Sequence, residues 1–255
     1  MEHVLKVSHV EKIYGKGANT YKALEDISFT IEPGEFVGVM GPSGAGKSTL
    51  LNVLATIDSP TSGDILIEAD NIAKMKEEKL ADFRRDHLGF IFQDYNLLDS
   101  LTVRENILLP LAIAKRPAKE IQEKVMTMAQ TFGIENLLDK YPYQISGGQK
   151  QRTASCRALV SNPKLIFADE PTGALDSKSA TDLLESLSSL NLEQEATIMM
   201  VTHDAYAASF CRRILFIKDG RLSKEMIRGN HTRKEFFQLI LDELAYIGGD
   251  GHDLV

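Results

Sequence analysis

At 255 residues with a formal net charge of −7, the chain can bury roughly three-quarters of its unfolded surface and needs no disulfide staples. Its two cysteines, Cys156 and Cys211, lack metal-type spacing and fit packing roles in a reducing compartment. The acidic balance argues against bulk nucleic-acid binding, and no run reaches the roughly 18 apolar residues of a spanning helix.

The N-terminus, Met1-Glu-His-Val, has no basic region followed by an apolar stretch, so no signal peptide is expected. The first 35 residues are β-rich. Ile27, Phe29 and Ile31 alternate with polar residues, the pattern of a half-buried strand. Pro33-Gly34 turns the chain. Phe36 to Met40 is an apolar run, which predicts a buried strand. It leads into Gly41-Pro42-Ser43-Gly44-Ala45-Gly46-Lys47-Ser48-Thr49, a full match to the phosphate-loop pattern G-x-x-x-x-G-K-[ST]. Leu50, Leu51 and Leu54 then follow helical spacing, which completes the strand-loop-helix context. Glycines let backbone N–H groups approach a triphosphate, and the helix points its positive end at it. Lys47 reaches the β- and γ-phosphates, and the Ser48 hydroxyl binds Mg²⁺. A nucleoside triphosphate with magnesium is therefore the expected substrate.

Ser59-Pro-Thr-Ser-Gly63 reads as a turn, and Ile65 to Ile67 as a strand. Residues 76–87 are charged and helical, and Leu88 to Phe92 is again a strand. Gln93 follows it. A neutral amide there can touch Mg²⁺ or an attacking water, and an ordinary structural role fits equally. From Tyr95 to Leu159 helical patterns dominate, including Ile121 to Phe132, which predicts a helical insertion. Within it, Ile145-Ser146-Gly147-Gly148-Gln149 opens a helix running through Gln151 to Leu159. That is a second anion-binding helix end. Two such loops cannot serve one nucleotide, so the second implies another copy of the chain.

Strands return at 164–168, 197–201 and 214–217, alternating with helices such as 178–190. This predicts an α/β fold with a mainly parallel sheet covered on both faces. The apolar strand at Leu165 ends in Asp169-Glu170. Asp169 stands where a phosphate-loop fold keeps its Mg²⁺ partner, and Glu170 where a base can polarise the attacking water. His203, after another apolar strand, can contact the γ-phosphate or hold Glu170. Residues 233–246 read as a helix, and Gly248 to His252 as a frayed end. The expected division is a core of about 1–94 and 160–230, a helical insertion of about 95–159 and a terminal helix of about 232–247.

Together these residues resemble the ATP-binding subunit of ABC transporters. Gly41 to Thr49 is similar to Walker A, Gln93 to the Q-loop, and Ser146-Gly147-Gly148-Gln149 to the signature loop. Leu165 to Glu170 is similar to Walker B, Ala174-Leu-Asp176 to the D-loop, and His203 to the switch histidine. They follow the family's order from 41 to 203. Ile145 departs from the usual leucine but keeps an apolar anchor. The resemblance implies a P-loop NTPase (RecA-like) core with an N-terminal antiparallel β subdomain and an inserted helical subdomain. It implies ATP hydrolysis with Mg²⁺, with Lys47, Gln93, Glu170 and His203 catalytic and with Ser48, Gln93 and Asp169 at the metal. Tyr14 would stack on adenine, with Tyr21 its competitor. The signature loop would cap ATP held by a second copy in a head-to-tail homodimer.

A narrower likeness runs through Phe90 to Leu98, Leu101 to Leu111, Met75 to Leu80, Ser146 to Arg152, Gly173 to Ser179 and Arg233 to Gln238. These stretches resemble the macrolide-export and lipoprotein-release branch, and within it the bacitracin-type exporters of Gram-positive bacteria. That likeness implies a separate multi-spanning permease, antimicrobial-peptide export or removal, and signalling to a sensor histidine kinase. It places the chain in the cytoplasm, peripheral on the inner face of the membrane, without nucleic acid. Leu97, Leu98 and Leu101 would line the permease groove or belong to the helical core. A non-transport signalling ATPase would carry the same catalytic residues. A DNA-repair ATPase would need long coiled coils, and no sustained heptads occur. A nucleotide kinase would need neither Ser146 to Gln149 nor His203.

Overall fold

The structure is a computed structural model and describes residues 3–17 and 19–248. Most of the expected fray at 248–252 lies outside the described residues. The chain opens with β1 (Leu5–Tyr14), β2 (Tyr21–Ile31), β3 (Phe36–Met40) and α1 (Lys47–Leu54). β4 (Ser62–Ile67), β5 (Asp70–Asn71), α2 (Glu77–His87) and β6 (Leu88–Phe92) follow. Helices α3 (Val103–Ile113), α4 (Ala118–Thr131) and α5 (Gly147–Leu159) fill the stretch before β7 (Leu165–Asp169). The rest is α6 (Ser177–Gln194), β8 (Ile198–Val201), α7 (Ala205–Ala208), β9 (Arg213–Lys218), β10 (Arg221–Ile227) and α8 (Arg233–Gly248).

An antiparallel sheet of order β2-β1-β4-β5 carries the N-terminal strands. A second sheet of order β10-β9-β3-β8-β7-β6 is parallel except for the β9–β10 hairpin. β3 is buried throughout because both faces of this sheet are covered. Its side chains alternate between two cores. Phe36 and Met40 pack with Ile91, Ile166 and the helices of the 103–159 stretch. Val37 and Val39 pack with α1 and the strands of the first sheet.

β10 was not expected, because its Arg221, Ser223, Lys224 and Glu225 read as polar surface. As an edge strand it needs no apolar face of its own. Its hairpin turns at Asp219-Gly220, both left-handed at φ 51° and 74°, the conformation that Asp-Gly favours in a two-residue turn.

The order β3-β8-β7-β6 sets the site. Four parallel strands end side by side, and each is followed by one of the singled-out segments. An open α/β sheet binds its ligand at this carboxyl edge.

Candidate functional site

The phosphate loop leaves β3 at Gly41, whose φ is +151°. A Cβ there would stand 2.0 Å from the Ile217 carbonyl oxygen, so the loop needs glycine. Gly46, at φ +101°, caps α1, and a Cβ on it would lie 2.5 Å from the Ala23 carbonyl oxygen. These two contacts seat the loop against β2 and β9. Lys47 Nζ donates to the Gly41 and Pro42 carbonyls, both at 2.8 Å. Burial lowers the Lys47 pKa, against the charges of Glu170 and Asp169. Ser43, Gly44 and Ser48 are exposed at the rim.

Asp169 ends β7, opposite Phe92 of β6 on one side and Val201 of β8 on the other. That register brings Gln93 and His203 to the same level of the sheet. Burial, then the Glu170 charge, raises the Asp169 pKa, while Lys47 opposes the shift. Glu170 adopts φ 45°, and its N–H donates to the Val201 carbonyl at 2.9 Å. A left-handed glutamate is a strained local conformation. Its carboxylate lies 2.9 Å from His203 Nδ1, and the histidine remains 72% exposed. Gln93 is exposed and crosses Gly173, where a Cβ would be 3.1 Å from its Nε2.

The second loop has different surroundings. Ser146 N-caps α5: its Oγ accepts from the Gln149 N–H at 3.3 Å, and its own N–H donates to Gln149 Oε1 at 2.9 Å. This reciprocal capping box leaves Ser146 and Gly147 exposed. A Cβ on Gly148 would sit 2.6 Å from Ser179 Oγ, and one on Gly147 3.1 Å from the Tyr95 hydroxyl. Ser179 Oγ in turn donates to Asp176 Oδ2 at 2.7 Å. Asp176 caps α6 by accepting from the Lys178 and Ser179 amides at 3.1 and 3.0 Å. The signature loop therefore abuts the Gln93–Tyr95 segment and the D-loop. The phosphate loop of the same chain abuts Ala23 and Ile217 instead.

Tyr14 ends β1 directly across from Tyr21. The two are told apart by their tethers. The Tyr14 hydroxyl donates to Asp58 Oδ2 at 2.8 Å.

Sequence reading passed over Arg157, Lys12 and Asp58. Arg157 Nη2 donates to the Tyr95 carbonyl at 2.9 Å and Nη1 to the Asn96 carbonyl. Both of those residues are left-handed, at φ 61° and 49°. Nothing in the sequence sets Arg157 apart, since Lys150 and Arg152 stand in the same helix. Arg157 also lines a groove of about 450 Å³ with Phe90, Phe92, Leu109, Pro110 and Ile113. Leu97, Leu98 and Leu101 do not line it. The buried Asn106 ties the Leu98 backbone to the start of α3 instead, through bonds of 2.8 and 3.0 Å.

Residues 24–173 match the family model described as ABC transporter. The chain is 54% identical to the ABC transporter ATP-binding protein YxdL of Bacillus subtilis, over 100% of this chain and 98% of that one. It is 52% identical to the bacitracin export ATP-binding protein BceA of Halalkalibacterium halodurans, over 98% of this chain and 99% of that one. The ATP-binding cassette MJ0796 of Methanocaldococcus jannaschii, solved as a post-hydrolysis dimer with ADP and Pi, is similar with a TM-score of 0.80. That match has 39% identity and covers 88% of this chain and 98% of that one. Among the described residues, no helix is long and apolar enough to cross a membrane. The phosphate loop and carboxylate pair fall inside the matched segment, and the chain belongs to the ABC transporter family as an ATP-binding subunit and ATPase.

Proposed function

We propose that this ATPase drives a separate membrane permease that exports antimicrobial peptides such as bacitracin or lantibiotics, or removes them from their targets. The observation that carries the mechanism is the pair of helix ends with different neighbours. One belongs to the loop at 41–49 and the other to Ser146–Gln149. Two copies facing head to tail let each signature loop complete the other's phosphate site.

The amides of the 41–49 loop cradle the triphosphate, and Lys47 exchanges its two carbonyl partners for β- and γ-oxygens. Ser48, Gln93 and Asp169 offer hydroxyl, amide and carboxylate oxygens, a hard donor set suited to Mg²⁺. When bound, Mg²⁺ supplies charge neutralisation at the β- and γ-phosphates. Glu170 accepts the proton of the attacking water, and His203 holds one carboxylate oxygen so that the other faces that water. Gln93 orients the same water. Ser146 and the Gly147 and Gly148 amides of the opposite copy meet the γ-phosphate, and Asp176 sits beside them at the seam.

The groove at Phe90, Leu109 and Ile113, with Arg84, Arg85 and Arg157 in its lining, suits an amphipathic cytoplasmic helix of the permease. The ATPase then works from the cytoplasmic face of the membrane, and signalling to a sensor histidine kinase passes through the permease. The likeness to BceA supports the peptide class.

Glu170→Gln is expected to keep ATP affinity, accumulate an ATP-bound dimer and lower turnover by about a hundredfold or more. Undiminished steady-state turnover would remove Glu170 from its role. In cells, loss of the chain should lower the bacitracin concentration that arrests growth, and only a hydrolysing copy should restore it. An unchanged threshold would contradict peptide export.

A further inference from the structure

Tyr14 is held from two sides. Its hydroxyl donates to Asp58 Oδ2 at 2.8 Å, and Lys12 Nζ stands 4.8 Å from its ring centroid. Lys12 also donates to Asp58 Oδ1 at 2.6 Å and to the Ser59 carbonyl at 2.7 Å. Asp58 Oδ1 accepts the Ser59 amide at 2.7 Å as well. Lys12 and Tyr14 lie two residues apart on β1 and so share a face of the strand. Lys12 is buried, with its side chain only 11% exposed, whereas Tyr14 is 41% exposed. A fixed ammonium thus stands over one face of the phenol ring, and the ring remains partly exposed.

Asp58 lies in the segment between α1 and β4. That segment is itself anchored to β1: the Thr61 amide donates to the Glu11 carbonyl at 2.8 Å, and the Ile13 amide to Thr61 Oγ1 at 2.9 Å. Asp58 lies four residues beyond the end of α1, the helix that the phosphate loop caps, and its N–H donates to the Asn52 carbonyl of that helix at 3.1 Å. The ring is therefore referenced to the phosphate loop through α1. Burial works against the Asp58 charge, but the hydrogen bonds from Lys12, Tyr14 and the Ser59 amide outweigh it and lower its pKa.

The geometry points to Lys12 and Asp58 as positioning residues that fix the plane of Tyr14 and choose the ring face offered to the nucleobase. This rests on the reading of Tyr14 as the adenine platform. A ring free to rotate pays part of its stacking energy in lost rotamer freedom, and a ring already held does not. The ammonium adds a cation–π contact on the face it stands over.

The test compares two ligands of the full chain, ATP and inorganic tripolyphosphate, each with magnesium. Tripolyphosphate has no base and probes the phosphate loop alone. Asp58→Ala and Lys12→Met are expected to weaken ATP binding about three- to fivefold and leave tripolyphosphate binding unchanged. Tyr14→Ala should weaken ATP about tenfold, again without effect on tripolyphosphate. Tyr14→Phe keeps the ring and loses only its tether, so it should behave like Asp58→Ala without taking the carboxylate partner from the buried Lys12. Equal loss for both ligands in Asp58→Ala and Lys12→Met would mean that the pair only maintains the fold, and would overturn the inference. Wild-type ATP affinity in Asp58→Ala, Lys12→Met and Tyr14→Phe, with loss in Tyr14→Ala, would overturn the positioning role while sparing the platform. Wild-type ATP affinity in Tyr14→Ala would remove the platform itself.

Discussion

Glu170 is held in a strained backbone conformation. Its left-handed backbone at φ 45° points the carboxylate away from the ordinary path of β7, toward His203 at 2.9 Å. Strain of that kind persists only where neighbours enforce it, and the Glu170 amide bond to the Val201 carbonyl is one such restraint. The 2.9 Å contact of His203 is with the Glu170 carboxylate. His203→Ala should therefore lower turnover by about ten- to a hundredfold while leaving ATP affinity within about twofold. A matched fall in ATP affinity would mean that His203 acts mainly on the phosphate. A single-turnover assay beside equilibrium binding separates the two outcomes.

The ends of α1 and α5 make close contacts through glycine. At Gly148 the backbone of α5 comes so close to α6 that a Cβ would meet Ser179 Oγ at 2.6 Å. Gly148→Ala must displace a hydroxyl that Asp176 already holds, which costs about 1–3 kcal/mol for an overpacked site. In a chain of this size the thermal midpoint should drop by about 2–6 °C. Adding Ser179→Gly should restore most of it, and no restoration would place the strain elsewhere. Much of this framework was legible from the sequence. The Phe36–Met40 and Leu165–Asp169 strands announce themselves because a sheet covered on both faces demands continuous apolar runs. The Ser146–Gln149 cap is visible because its two hydrogen bonds are local. β10 was not legible, since a polar edge strand has no apolar signature, although Asp219-Gly220 marks its turn. The Lys12–Asp58 pair was hidden for another reason. Its partners are 46 residues apart in sequence, and a charged residue on a strand reads as solvent-facing. Arg157 was equally silent, because its acceptors are backbone carbonyls.

At the scale of the molecule, the fold shifts some carboxylates in opposite directions. Glu25, Asp58, Asp64, Asp86, Glu105, Asp176 and Glu235 all have pKa values lowered by the fold. A lowered folded value stabilises fully above the ordinary carboxylate range and is lost as pH falls through the lowered value. Resistance to denaturant should therefore decline below about pH 4. Asp169 runs the other way: its value is raised by burial and then by Glu170. Its ionised form costs stability at neutral pH, so Asp169→Asn should raise the denaturant midpoint at pH 7 while abolishing turnover. A lowered midpoint would mean that Asp169 is needed by the fold rather than by the ligand. In the proposed arrangement each chain contributes the loop at 41–49 to one site and Ser146–Gln149 to the other, and the two loops have separate surroundings. The decisive measurement mixes Lys47→Ala chains with Ser146→Arg chains. Each variant alone has no complete site. A mixed dimer has one composite site with both loops intact, so an equal mixture should recover turnover up to about a quarter of wild type. A mixture as inactive as its two components would mean that each chain completes its own site, and the shared arrangement would have to be abandoned.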